Sequence, residues 1–187
     1  MNHLKATAYF NKFLREKEQS LRESVEFINI HGTNPYFLTL LQKAKDKEHS
    51  KFLDIGSGMG LPAVIAANMG YKAKGIENNP QQYQVSKEFI GTLPNTFTKP
   101  KILFGDAFGE EHTHLFSETD VFYTYTLDEV MSSAMKHIQN HGKKGSKLIL
   151  PLAPNKYESV LPEHGFDILD VGAHYGLPAY ILAEKRS

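Results

Sequence analysis

The sequence predicts an α/β fold built on an open, mostly parallel sheet. Two observations carry that expectation. From residue 51 to residue 152, short apolar runs alternate with helical stretches at the spacing of strand–helix–strand units. The last two apolar runs, 166–174 and 178–185, are joined only by Tyr175-Gly176-Leu177. So short a link cannot cross over between parallel neighbours, so these two runs form an antiparallel hairpin.

The elements follow in order. Residues 3–28 carry Leu4, Phe10, Phe13, Leu14, Leu21, Val25 and Ile28, mostly three or four apart, which reads as an amphipathic helix. HGTNP (31–35) interrupts it, with Asn34 suited to cap a second helix over 36–44 and Pro35 to open it. Next come a strand at 51–55, a helix at 61–69, a strand at 71–77 and a helix at 80–90. Strands at 100–106 and 120–126, a helix over 127–140 and a strand at 146–152 complete the alternation. His112 and His114 read as a solvated loop, and Phe10 and Phe13 as packing residues of the front helix. The chain is expected to be one domain, 1–187, with 1–46 as an N-terminal helical cap.

Composition narrows the function. Hydrophobic residues make up 41% of the chain, enough for a core of normal size. Lysine plus arginine (21) equals aspartate plus glutamate (21), which argues against a dedicated nucleic-acid binder while leaving room for a local basic patch. No nucleic-acid partner is expected. The absence of cysteine excludes disulfides, thiolate metal sites and cysteine nucleophiles. The nine histidines show no ligand spacing, so no metal site is expected. The N-terminus is too charged for a secretory signal, and no run approaches a membrane span, so a cytoplasmic location is expected.

The chemistry concentrates in FLDIGSGMGL (52–61), where Gly56, Gly58 and Gly60 follow a strand. In open α/β sheets ligands bind beyond the carboxyl ends of the strands. Glycines there permit positive φ and close backbone approach, and the next helix offers free N–H groups. A dinucleotide fingerprint needs a third glycine where this chain has Leu61. Asp54, just before the loop, would repel a pyrophosphate and welcome an amine-bearing ligand. Glu77 ends the next strand, where a carboxylate accepts ribose hydroxyls. Asp106 ends the third strand, placed to accept from an adenine amino group, with Phe108 or Ile76 against the ring. The three carboxylates suit one molecule that combines amino acid, ribose and adenine.

DIGSGMG, GIENNP and GDAF resemble the three cofactor motifs of the class I (seven-strand, Rossmann-like) S-adenosylmethionine-dependent methyltransferases, over roughly residues 34–187. The resemblance implies S-adenosylmethionine as cofactor, with methionine contacts at Asp54, Gly56 and Gly58, ribose at Glu77 and adenine at Asp106. Ser57, Gly60, Asn78 and Ala107 belong to the same motifs. It also implies strand order 3-2-1-4-5-7-6 with strand 7 antiparallel and helices on both faces. A closer resemblance is to small seven-strand protein-lysine methyltransferases, including the family acting on mitochondrial inner-membrane proteins. It rests on Pro35-Tyr36, on D-x-G-S-G-x-G and on the run from Ala66 through Glu77 to Pro80. Met59 stands where that family has an acid, and Leu61-Pro62 replaces its Arg-Ile. The resemblance implies a lysine amine as methyl acceptor.

After the fourth strand, Tyr123-Thr124-Tyr125-Thr126-Leu127-Asp128-Glu129 lacks the proline pair of enzymes that methylate base amino groups. Tyr125, Asp128 and Glu129 are placed to orient a neutral amine; acids at a helix start also simply stabilise its dipole. The alternatives are a small-molecule methyltransferase, a non-catalytic S-adenosylmethionine-binding protein and a nicotinamide oxidoreductase. Asp54 and Leu61 speak against the last. The acceptor is expected to be a protein or a small molecule.

Overall fold

The computed structural model of the chain describes residues 2–16, 35–125, 128–151, 159–172 and 180–186, with 2–4, 35, 128 and 129 described in backbone only. Seven strands form one sheet: β1 (Lys51–Ile55), β2 (Lys72–Glu77), β3 (Lys101–Phe104), β4 (Val121–Thr124), β5 (Lys147–Pro151), β6 (Phe166–Gly172) and β7 (Tyr180–Lys185). Their order is β3-β2-β1-β4-β5-β7-β6. The first five run parallel, and β7 lies antiparallel between β5 and β6. This is the order and the hairpin expected from the sequence. The described helices are α1 (Asn2–Arg15), α2 (Pro35–Ala44), α3 (Leu61–Asn68), α4 (Pro80–Thr92), α5 (Glu110–Glu118), α6 (Asp128–His141) and α7 (Val160–Glu163).

Strand alternation sends side chains to two cores. Phe52, Val121, Tyr123 and Ile149 meet residues of α1–α4, among them Phe10, Phe37, Leu41, Val64 and Phe89. Leu53, Ile55, Phe122 and Leu148 meet Phe116, Met131, Met135 and Leu161 of α5–α7. Successive residues of one strand thus face opposite layers. The ring of Phe10 meets that of Phe89 edge-on at 4.9 Å, and Phe13 lies 5.5 Å from the same ring, so the front helix packs through both. The Tyr36 ring fills the space above Gly172 at the end of β6: a Cβ there would sit 1.8 Å from its Cζ. Its hydroxyl donates to Asp170 Oδ1 at 2.9 Å, and Lys43 donates to the other oxygen, tying α2 to β6.

The stretch around His112 differs from its expected loop. It is helix α5, and His112 is only 8% exposed. His112, Leu115 and Phe116 form an i, i+3, i+4 stripe, and Phe116 stacks on Phe122 at 5.4 Å. Glu110 and Glu111 in its first turn complement the helix dipole. His114 is exposed. Residues 17–34, with Leu21, Val25, Ile28 and the Asn34 cap, and the hairpin tip Tyr175-Gly176-Leu177 lie outside the described residues. No helix of the described residues is long and apolar enough to cross a membrane.

Candidate active site

The parallel register brings the carboxyl ends of β1, β2 and β3 side by side, with Asp54 opposite Gly75 and Glu77 opposite Phe104. Between β1 and α3 the chain makes a tight loop whose Gly56, Gly58 and Gly60 have φ of 69°, 53° and 82°. Side chains at these positions would be strained, which is why three glycines sit there. The loop is fastened to β2. Ser57 N–H donates to the Ile76 carbonyl at 2.9 Å, and Gly58 N–H donates to Glu77 Oε2 at 2.6 Å. The other oxygen of Glu77 accepts from Asn79 N–H at 2.8 Å. Asn79 in turn caps α4 by accepting from Gln81 and Gln82, with Pro80 as its first residue.

Gly75 makes this approach possible, and sequence reasoning gave it no role. A Cβ there would lie 2.7 Å from Ser57 Cβ and 2.8 Å from Ile102 Cδ1. The signal was present: a glycine inside a strand marks a place where another backbone comes close.

Asp54 is 1% exposed, and its Oδ2 is buried without a hydrogen-bond partner among the described residues. Ser57 Oγ, in the adjoining loop, is in the same condition. Burial pushes the Asp54 carboxyl well above the usual range, the nearby Glu77 charge pushes it further, and a bond from Ala63 N–H works the other way. The site therefore sets Glu77, both of whose oxygens accept hydrogen bonds, beside a buried Asp54 that lacks a partner for one oxygen. Two buried polar atoms without partners are the property of a surface that completes its bonding with a ligand. An amine could supply what Asp54 lacks.

The third acid differs from the other two. Asp106 is exposed, and its Oδ1 accepts from Phe108 N–H at 3.0 Å, shaping the turn after β3. Ala107 is buried, and Phe108 is half-buried against the α5–α7 core, 5.5 Å from the His137 ring. Ile76, the other residue expected against the adenine ring, is fully buried inside the sheet core and not open to a ligand. Asn78 is exposed between Glu77 and the α4 cap.

Beyond β1, tyrosines gather from three separate elements. Tyr123 and Tyr180 are buried and Tyr125 half-buried, with Phe37 stacked on Tyr180 at 6.0 Å and tilted against Tyr123 at 5.0 Å. Burial raises all three phenols, and Asp54 and the neighbouring tyrosines add to the effect at Tyr123. Tyr36, held by burial and by Asp170, is pushed up to about 12. The wall beside Asp54 is neutral and aromatic. Asp128 and Glu129 open α6 just past β4, but their side chains lie outside the described residues.

No family model matches the chain. Its fold is shared with the magnesium protoporphyrin IX methyltransferase of Synechocystis PCC 6803, solved with bound S-adenosylmethionine, at a TM-score of 0.65 and 14% identity over 90% of this chain and 85% of that one. A probable cobalt-precorrin-6B C(15)-methyltransferase (decarboxylating) of Sulfurisphaera tokodaii is 31% identical over 139 residues, 70% of this chain and 71% of that protein. The chain belongs to the S-adenosylmethionine-dependent methyltransferases. As in that family, its cofactor is S-adenosylmethionine. A 23S rRNA (uracil(747)-C(5))-methyltransferase of Pyrococcus abyssi is 34% identical over 80 residues, 42% of this chain, and the chain spans only 20% of its length. Neither relative is named for a lysine acceptor, so the family is broader than the lysine enzymes the sequence resembles.

Proposed function

We propose that the chain transfers a methyl group from S-adenosylmethionine to an acceptor entering beside the carboxyl end of β4. The observation that carries this reading is the pairing of a buried, incompletely bonded Asp54 with a glycine loop latched to Glu77. In it Asp54, Gly56, Ser57 and Gly58 take the amino-acid end of the cofactor, and Gly60 lets the loop turn into α3. Glu77 and Asn78 take the ribose, and Asp106 and Ala107 the amino edge of adenine. The sulfonium supplies the activated methyl group. The protein aligns the nucleophile and excludes water, which accounts for much of such a rate.

Two acceptor readings have support. A protein lysine rests on the resemblance of Pro35-Tyr36 and of the run from Ala66 to Pro80 to lysine methyltransferases. Its amine must be neutral to attack, and Tyr125, Asp128 and Glu129 would orient it. A small molecule rests on the cobalt-precorrin relative, matched over most of its length, and on the neutral tyrosine wall. The test is transfer of a labelled methyl group from S-adenosylmethionine into cell-extract protein and, separately, into tetrapyrrole and small-metabolite fractions. Label on lysine supports the first reading; label in a small-molecule fraction supports the second. No transfer by a protein that binds S-adenosylhomocysteine overturns the proposal and leaves a non-catalytic binder.

A further inference from the structure

The end of the sheet opposite the glycine loop is cationic. Lys51 opens β1, Lys72 opens β2 with Lys74 two residues on, Lys101 opens β3, and Lys99 stands just before it. Register makes these lysines lateral neighbours: Lys51 pairs with Lys72, and Lys74 with Lys101. Partners in a parallel ladder point to the same face, with strands about 4.8 Å apart. Like charges in that relation destabilise a sheet. This chain accepts two such pairs next to one another.

The lysines also frame two recesses, of about 230 and 390 Å³, that share Lys72 and Lys74. Lys99, Lys101 and His49 line the larger. Among the described residues the only carboxylate lining either recess is Glu118, which is bonded to Lys51 at 2.9 Å and also feels the charge of Lys74. The nearby Asp120 is engaged by Lys47 and Lys143, and Asp46 by Lys147. No ion pair or hydrogen bond with a described residue engages the side chains of Lys72, Lys74, Lys99 or Lys101.

We propose that this surface binds the phosphate backbone of a single-stranded nucleic acid. Its cations are spread over three strands, and along β2 they step by about 6.7 Å. One small anion cannot reach them all. A run of phosphates can, and it relieves the lysine–lysine repulsion while releasing its own counterions. A single strand is flexible enough to follow lysines on three strands and to bend into the recesses between them. Along the strands Lys51 lies about 16 Å from Gly56 and Lys74 about 10 Å from Glu77, both toward the amino ends, so the surface is separate from the cofactor loop. The proposal runs against the expectation drawn from zero net charge. Net charge averages over the whole surface, whereas binding depends on where the charges sit.

The test is fluorescence anisotropy of a labelled 20-nucleotide single-stranded RNA, and of the DNA of the same sequence, without cofactor, at 50 and 200 mM salt. The protein is the wild type and the variant Lys72→Gln, Lys74→Gln, Lys99→Gln, Lys101→Gln. With four phosphates neutralised, affinity falls about fifty-fold between the two salts. At 50 mM the variant binds at least about tenfold more weakly, with most of the salt dependence gone. Its Tm does not fall, because like-charge pairs have been removed, and its S-adenosylhomocysteine binding is unchanged. A wild type that binds neither strand at 50 mM salt, a variant that keeps both affinity and slope, or a duplex bound as tightly as the single strands would overturn the proposal. If the fourfold variant does not fold, Lys72→Gln with Lys101→Gln, which breaks each like-charge pair once, replaces it: with two phosphate contacts left, the loss between the two salts shrinks to about sevenfold, and an unchanged affinity and slope overturn the proposal. None of these results bears on methyl transfer.

Discussion

Glu77→Ala reduces affinity for S-adenosylhomocysteine by at least about a hundredfold, measured by calorimetry against the wild type. The carboxylate is 5% exposed and already holds the loop through Gly58 N–H and the start of α4 through Asn79 N–H. In the proposed complex it also receives the ribose hydroxyls. Hydrogen bonds to a charged group contribute roughly 1.5–3 kcal/mol each, so losing two to the ligand accounts for a hundredfold or more. The substitution also leaves two backbone donors without their partner, at roughly 1–3 kcal/mol apiece if they stay buried. At about 2–4 °C per kcal/mol for a chain of this size, Tm falls by at least about 4 °C. Unchanged affinity in the variant would remove Glu77 from the cofactor site.

Asp54→Asn changes how stability depends on pH. The carboxyl ionises near 3.8 in the unfolded chain and well above that in the folded one. Between those values the folded state holds the extra proton. Stability of the empty protein therefore falls as pH rises through that window and levels off above the raised value. Asparagine cannot ionise, so the variant lacks that fall. The difference in Tm, variant minus wild type, grows with pH across the window, read by thermal melts without ligand. The same substitution weakens S-adenosylhomocysteine, because the amide cannot pair with an ammonium group as a carboxylate does; a tenfold loss or more is expected, corresponding to at least about 1.4 kcal/mol. In the wild type, binding an amine ionises Asp54 and releases a proton, so calorimetric heats vary with the ionisation enthalpy of the buffer. A flat difference in Tm together with buffer-independent heats would show that Asp54 is ionised in the empty site.

Much of this was legible in the chain because it is local. The strand–helix alternation, the glycines after β1 and the acids at the ends of β1 and β2 and just past β3 are neighbours in sequence; the strand order itself was implied by the resemblance that these motifs carry. Helix α5 was missed because its stripe is short and one of its three members is a histidine, which resembles a polar loop residue until Leu115 and Phe116 are counted with it. What depends on register or on packing between distant segments was not legible. The lysine pairs exist only because Lys51 meets Lys72 and Lys74 meets Lys101. The tyrosine wall joins Tyr36, Tyr123, Tyr125 and Tyr180, whose strands and helix meet only after folding. Ile76 looked available for a ring until the sheet buried it.

The central claim is that the loop between β1 and α3, with Asp54 and Glu77, forms the S-adenosylmethionine site. The most direct measurement is a crystal structure of the chain soaked with S-adenosylhomocysteine. The account predicts the ligand beyond the carboxyl ends of β1–β3, its ammonium group at Asp54, its ribose hydroxyls on Glu77 and its adenine beside Asp106. Ligand bound anywhere else, or a soaked crystal in which those side chains contact no ligand while binding is demonstrated in solution, would contradict it.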